Sequence, residues 1–426
     1  MTKNRVHMQI NQVSNQLKAL ISEKHLIELA KTSGFQVRHR CLSIVSLLKA
    51  VFKSLSCLQD ANLSDIHQNL RTQANCTISY KPFHNQIRKP ALTELVRELV
   101  IQAMSKLTVN TLDKTFFTQR GILRVLLQDG SSFALHDELA PVFAGRFTAI
   151  SPAAIELHLT YDLFNEQPCE IDIRPDVETE RAFLPGSHTL EDTLLLADAG
   201  YFDLDYFEQV SQDGGYFLVR ANKNINPTVT SAYCAGVELK EKHIKLKTLL
   251  KKRASQPLEL TVRWKKNGPE YRLIYLPDKK RPVFLVTNLK ETQFNFDELL
   301  DIYATRWQIE LLFKELKSWN NLKGFITRDP HIAESLVWLS ILQTLIKRFI
   351  CHSAATIFKC AISTFRANKC SYLWLDDILD CIEQTQCNRK VHRVLELLAV
   401  NCKRQSIEKN NDMCRFKIGS HTICVP

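Results

Sequence analysis

Between Gly121 and Lys223 the chain carries five short apolar runs rich in β-branched residues, ILRVLLQDG, AIELHLTYDLF, CEIDIRP, LLLADAGY and GYFLVRANK, separated by turn residues. This texture predicts strands. Three successive strands, followed by strands that alternate with a helix over DLDYFEQVSQ, predict a mixed sheet covered by helices, an α/β nuclease-like core.

The flanks read differently. Residues 1 to about 115 place apolar residues at helical spacing in NQLKALISEKHLIELA and CLSIVSLLKAVFKSL, with few Gly or Pro, and predict a separate helical unit. Within it, LSDIHQNL and SYKPFHNQIRK have the pattern of a helix-turn-helix whose second helix offers Lys81, His84, Gln86, Arg88 and Lys89 to DNA. An ordinary solvated basic helix reads the same way. Between about residues 222 and 288, a basic stretch KLKTLLKKR and three strand candidates, LELTVRW, YRLIYLP and PVFLVTN, predict a β-rich insertion. Beyond it Asn295 or Asp297 can cap a helix that runs to Trp319, and residues 351–426 read as further helices without repeats. The expected organisation is therefore a helical unit over 1–115, an α/β unit over 116–350 and a helical region over 351–426.

Composition narrows the partner. With 56 Lys+Arg against 45 Asp+Glu the formal charge is +11, which favours nucleic acid, with an anionic membrane surface as the rival. The N-terminus has no signal-like apolar segment, and the stretch Ile332 to Ile350 contains Glu334, Lys347 and Arg348, so it reads as a buried helix and no membrane association is expected. Of thirteen cysteines, eight fall between Cys351 and Cys424 and none has C-x-x-C spacing, which suits reduced, buried thiols of a cytoplasmic protein better than a zinc site.

The chemistry lies in three acidic residues. Asp129 follows VLLQ and Asp198 follows LLLA, each where a strand is expected to end and each with a glycine close behind. Side chains at the carboxyl ends of strands converge on a crevice, and the glycines leave room for a bulky substrate. Either Asp alone reads as a turn residue. The segment YATRWQIELLFKELK adds Tyr303, Arg306, Glu310 and Lys317. At about 100° per residue these four lie within an arc of roughly 60°, beside an apolar face made by Ile302, Ile309, Leu312, Phe313 and Leu316. A surface ladder of ion pairs has the same spacing. Three carboxylates facing one crevice repel unless cations neutralise them, and oxygen ligands with open positions suit two Mg²⁺ or Mn²⁺ ions, the requirement of phosphodiester chemistry. Arg306 and Lys317 would then hold flanking phosphates, and Tyr303 would donate to a phosphate or stack on a base.

Tyr303, Arg306, Glu310 and Lys317 match at every position the pattern Y-x2-R-x3-E-x6-K, and the chain here resembles the DDE transposases of the insertion-sequence-four family. Asp198, Gly200 and Tyr201 resemble that family's second segment, and Asp129-Gly130-Ser131 its first. Weaker similarity covers roughly residues 120 to 325 and includes Arg220 in YFLVRANKN. Ala199 stands where many relatives carry a basic residue. The resemblance implies an RNase H-like fold with a β-rich insertion before the catalytic Glu, and cut-and-paste transposition of double-stranded DNA, bounded by terminal inverted repeats, in a homodimeric synaptic complex, typically through a hairpin intermediate. The catalytic and metal-binding residues so implied are Asp129, Asp198 and Glu310, with Tyr303, Arg306, Lys317 and Arg220 on DNA.

Overall fold

The computed structural model describes residues 3–36, 42–56, 62–73, 76–109, 114–278, 281–319, 327–383, 387–404, 415–418 and 421–424. Helices α1 (Lys3–Ile21), α2 (Glu23–Thr32), α3 (Ile44–Ser56), α4 (Leu63–Gln73), α5 (Tyr80–Ile87) and α6 (Pro90–Lys106) lead the chain, and a single turn, α7 (Thr115–Thr118), precedes the sheet. Strands β1 (Arg124–Ala134), β2 (Ala154–Asp162) and β3 (Gln167–Pro175) form an antiparallel meander. β4 (Thr193–Ala197) and β5 (Tyr216–Arg220), joined through α8 (Leu204–Gln212), add on parallel to β1. The order is β3-β2-β1-β4-β5, so β1, β3, β4 and β5 run the same way and their C-terminal ends share one edge. Asp203 starts α8, its carboxylate accepting the N–H groups of Asp205 and Tyr206 at 3.1 Å each.

The insertion comprises β6 (Thr228–Cys234), β7 (Val237–Glu238), β8 (Ile244–Lys245), α9 (Leu246–Arg253), β9 (Leu258–Arg263), β10 (Glu270–Leu276) and β11 (Val283–Thr287). The three expected strands are β9, β10 and β11, while all of KLKTLLKKR but its first lysine forms α9 and buries Leu246 and Leu249. It does not stand apart. β11 pairs antiparallel with β5, and the sheet continues as β11-β10-β9-β6-β7, with β8 on β6. Pairing satisfies the N–H and C=O groups that an unprotected β5 edge would leave open.

Next come α10 (Phe296–Ala304), α11 (Trp307–Trp319), α12 (Pro330–Phe358), α13 (Thr364–Lys369), α14 (Leu375–Leu379), α15 (Cys387–Asn401) and a hairpin of β12 (Arg415–Ile418) and β13 (His421–Cys424). Asn295 does cap α10, in a reciprocal capping box with Glu298, both bonds 2.9 Å. The single helix expected to run on to Trp319 is instead two. Thr305 is fully buried and its hydroxyl donates to the Ile302 carbonyl at 2.6 Å, while the amides of 305, 306, 308 and 309 all donate three residues back. Such tight turns interrupt the α-helical ladder and turn the chain between α10 and α11.

The apolar stretch Ile332 to Ile350 lies inside α12, 29 residues long, buried almost throughout and begun by Asp329 and Pro330. No described helix is long and apolar enough to cross a membrane. α12 packs against α3, α6, α11 and α15. One core joins the N-terminal helices, α10 to α12, α15 and the sheet face bearing Val125, Leu127, Leu194 and Leu196, so the leading helices share their interior with the rest of the chain. A second core covers the other face, from Leu126, Leu195 and Phe217 out to the insertion. Among the described residues nine cysteines form no disulfide.

Candidate active site

Alternation along β1 turns Val125, Leu127 and Asp129 to the face under α10 to α12, and Leu126, Gln128 and Gly130 to the other. Asp129 does not end its strand, contrary to expectation. The ladder with β2 continues through it to Ala134↔Ala154, whereas the parallel ladder with β4 stops at Gln128↔Ala197. Asp129 therefore lies one residue past the point where β4 leaves the sheet, and Asp198 is the first residue after β4. The long hairpin partner hides this boundary from a reading of β1 alone.

Arg306 sits in the break between α10 and α11. Its Nη1 lies 3.1 Å from Asp129 Oδ2 and its Nη2 donates to Glu310 Oε1, so one guanidinium bridges two of the three carboxylates. The third has its own partners: Arg220, the last residue of β5, places Nη1 3.8 Å from Asp198 Oδ1, and the Tyr303 hydroxyl lies 3.5 Å from the same atom. Burial keeps the Tyr303 phenol protonated and able to donate. Lys317 lies two turns beyond Glu310, about 10 Å along the helix, with its ammonium 4.9 Å from the centre of the Phe133 ring. Side-chain exposure rises from 18% at Asp129 through 29% at Glu310 to 39% at Asp198, so the cluster opens on the Asp198 side.

Burial pushes the Asp129 carboxyl up to about 7, with Glu310 and Asp198 adding to the rise and Arg306 and the Gly130 N–H opposing it. The folded chain thus holds a proton that the unfolded chain releases near 3.8, and this group's contribution to stability falls as pH rises from 3.8 to about 7. In protein stripped of divalent cations, Asp129→Asn is expected to stabilise at about pH 8 and to be near neutral at about pH 4. Urea unfolding at the two pH values checks this; equal differences at both would contradict it.

The donor set is all carboxylate oxygen and suits a hard divalent cation in kind. As the side chains stand, no three His, Cys, Asp or Glu residues among those described gather closely enough to hold an ion. The Arg306 guanidinium occupies the ground between Asp129 and Glu310, so it and a cation compete for the same oxygens.

Two further groups of residues escape a reading of the sequence. β2 alternates Ile155, Leu157, Leu159 and Tyr161 with Glu156, His158, Thr160 and Asp162, the signature of a half-solvated strand, yet both of its faces are buried. His158 stacks on Phe183 at 3.7 Å, and Arg146 reaches Glu156 at 3.4 Å. Gly200, expected to clear space for substrate, instead admits the Glu180 carboxylate, which a methyl group there would overlap. The second group links Glu315, Arg348 and Tyr161 beneath α11. Of the residues expected on DNA from α5, Lys81 is exposed and His84 and Gln86 are half-buried. Arg88 pairs with Asp329 at 2.6 Å, and Lys89 donates to the Phe35 carbonyl at 3.4 Å.

Residues 120–344 match the Transposase DDE domain family. The chain is 25% identical over 285 residues to the transposase for insertion sequence element IS1151 of Clostridium perfringens, covering 55% of this chain and 60% of that one. It is 24% identical over 406 residues to the transposase for IS231B of Bacillus thuringiensis subsp. berliner, covering 84% and 82%. A solved piggyBac transposase synaptic complex with hairpin DNA superposes with a TM-score of 0.49 at 11% identity, over 94% of this chain and 87% of that one.

Proposed function

The chain belongs to the Transposase DDE domain family, and from that premise we propose that it is a cut-and-paste transposase of the insertion-sequence-four branch. It cleaves the phosphodiester at each end of its own element and joins the freed 3′-hydroxyls to target DNA. The observation that carries the reading is the Arg306 bridge: residues 177 apart in sequence bring Asp129 to the helix that bears Glu310, beside Asp198. The branch is supported by the match of Tyr303, Arg306, Glu310 and Lys317 to its signature. The strand order β3-β2-β1-β4-β5 supports an RNase H-like core within residues 116–350.

Asp129, Asp198 and Glu310 would hold two Mg²⁺ or Mn²⁺ ions, whose chemistry is to lower the pKa of a bound water and to neutralise charge on the leaving oxygen. Arg306 turns from the carboxylates to a DNA phosphate. Arg220, beside Asp198, and Lys317, two turns beyond Glu310, hold the strand on either side, and Tyr303 donates to a phosphate oxygen. The helices of residues 1–115 read the terminal inverted repeats through Lys81 and its neighbours, and two copies pair the ends in the cytoplasm.

The direct test incubates the purified chain with duplexes carrying its element's ends, a target plasmid and Mg²⁺. Cleavage followed by joining is expected. Cleavage without joining would assign a nuclease, and binding alone a DNA-binding derivative. Arg306→Ala and Lys317→Ala are each expected to reduce the salt-dependence slope of end-DNA binding by about 1, the loss of one phosphate contact. Unchanged slopes would return both residues to a surface ladder of ion pairs.

A further inference from the structure

The back of β1 carries a second polar cluster. Gly130 faces away from α11 and pairs with His158, and its neighbour on that face, Ser132, pairs with Glu156. A methyl group built on Gly130 would lie 2.9 Å from Glu156 Oε1, 3.2 Å from the Tyr201 hydroxyl and 3.3 Å from His158 Nδ1, so three polar atoms from separate side chains converge on one point. His158 and Tyr201 keep only 2% and 1% of their surface. Neither His158 nitrogen nor the Tyr201 hydroxyl makes a close hydrogen bond within the protein, although Nε2 lies 3.7 Å from Glu156 Oε2 and the Gln128 side chain approaches the hydroxyl. Buried polar groups short of hydrogen bonds are costly, and polar groups converging on one point are the setting in which a buried water is held.

We propose that Glu156, His158 and Tyr201 are positioning residues that bind a water over Gly130 and thereby set the separation of Asp129 and Asp198. Tyr201 donates to the water, which donates in turn to Glu156 Oε1 and to neutral His158 Nδ1. Tyr201 belongs to the turn that begins at Asp198, its N–H donating to the Asp198 carbonyl at 3.1 Å, whereas Gly130 is the residue after Asp129. The water therefore ties the turn after β4 to β1 behind the two aspartates, at the level where the parallel ladder between these strands stops. Arg146 orients Glu156 from its other oxygen at 3.4 Å, and Phe183 fixes the His158 ring by stacking. A solvent-open cavity of about 590 Å³, lined by Arg146, Glu180 and Gly200 among others, lies alongside. Carboxylates that share an ion need such support, because outer partners that fix ligand positions control metal affinity.

This inference rests on the proposed function only for what the aspartates hold. The test compares wild type, Tyr201→Phe and Gly130→Ala for Mn²⁺ binding by electron paramagnetic resonance without DNA, and for the Mn²⁺ dependence of end cleavage. Tyr201→Phe removes only the hydroxyl, and Gly130→Ala puts a methyl among the three polar atoms, 2.9 Å from Glu156 Oε1. Both are expected to bind Mn²⁺ about tenfold more weakly, with the cleavage rate at saturating Mn²⁺ within about threefold of wild type. Unchanged Mn²⁺ affinity in either variant overturns the proposal, as does a lost saturated rate at unchanged affinity. A wild type that binds Mn²⁺ yet cleaves nothing overturns the transposase reading instead, while the binding comparison still decides the network.

Discussion

Glu310→Gln is expected to lower Mg²⁺-dependent cleavage of end DNA by about 10³-fold, the upper range for losing one preorganised electrostatic group, and to leave end-DNA binding within about threefold. The amide keeps the shape of the side chain and can still meet the Arg306 guanidinium, so α11 stays in place. It removes the negative charge that a divalent cation requires. On the proposed reading, Asp129 and Asp198 would then face the ion with one ligand fewer, while the phosphate contacts assigned to Arg220 and Lys317 would be untouched. Single-turnover cleavage alongside a binding titration separates these effects. Cleavage within tenfold of wild type would take Glu310 out of the site and leave an i, i+4 ion pair with Arg306.

The largest effect on stability is expected from Arg348→Met. Arg348 on α12 places Nη1 3.0 Å from Glu315 Oε2 and Nη2 2.7 Å from the Tyr161 hydroxyl. Its side chain and that of Glu315 retain 3% and 6% of their exposure. Methionine matches the aliphatic stem but leaves the Glu315 carboxylate buried without its cation, which costs about 3–5 kcal/mol. Adding Glu315→Leu removes the stranded charge and is expected to restore most of that loss, since a buried ion pair is often worth little against an apolar pair of similar volume. Urea unfolding of the single and double variants closes the cycle. A single variant within about 1 kcal/mol of wild type would mean that water reaches Glu315. The pair also matters to the site, because Glu315 lies on the helix that carries Glu310, and Tyr161 lies on β2 beside β1.

Much of this site was legible before any fold was known. The apolar runs VLLQ and LLLA announce β1 and β4, although β1 runs on past Asp129 to Ala134 and Asp198 follows β4. Arg306 and Glu310 sit four apart, a separation that survives the break at Thr305 because it spans little more than one turn. The break itself was not legible. Nothing local marks Thr305 as buried; its hydroxyl bends the chain because the packing of α10 and α11 on the sheet denies it water. β2 misleads for the same reason, since its Glu156 and His158 read as a wet face and lie beneath Phe183 and Arg146, residues 25 and 10 positions away from these partners.

The sequence by itself determined most strand and helix segments around the carboxylates, the spacing that pairs Arg306 with Glu310, and the basic character that points to nucleic acid. Tertiary structure alone decided that Arg306 bridges Asp129 and Glu310, that the insertion lengthens the main sheet, and that a buried polar cluster backs Gly130. The physical reason is range. Periodicity and turn chemistry act over a few residues and are written locally, whereas strand order and burial minimise the free energy of the whole interior, which no single segment encodes.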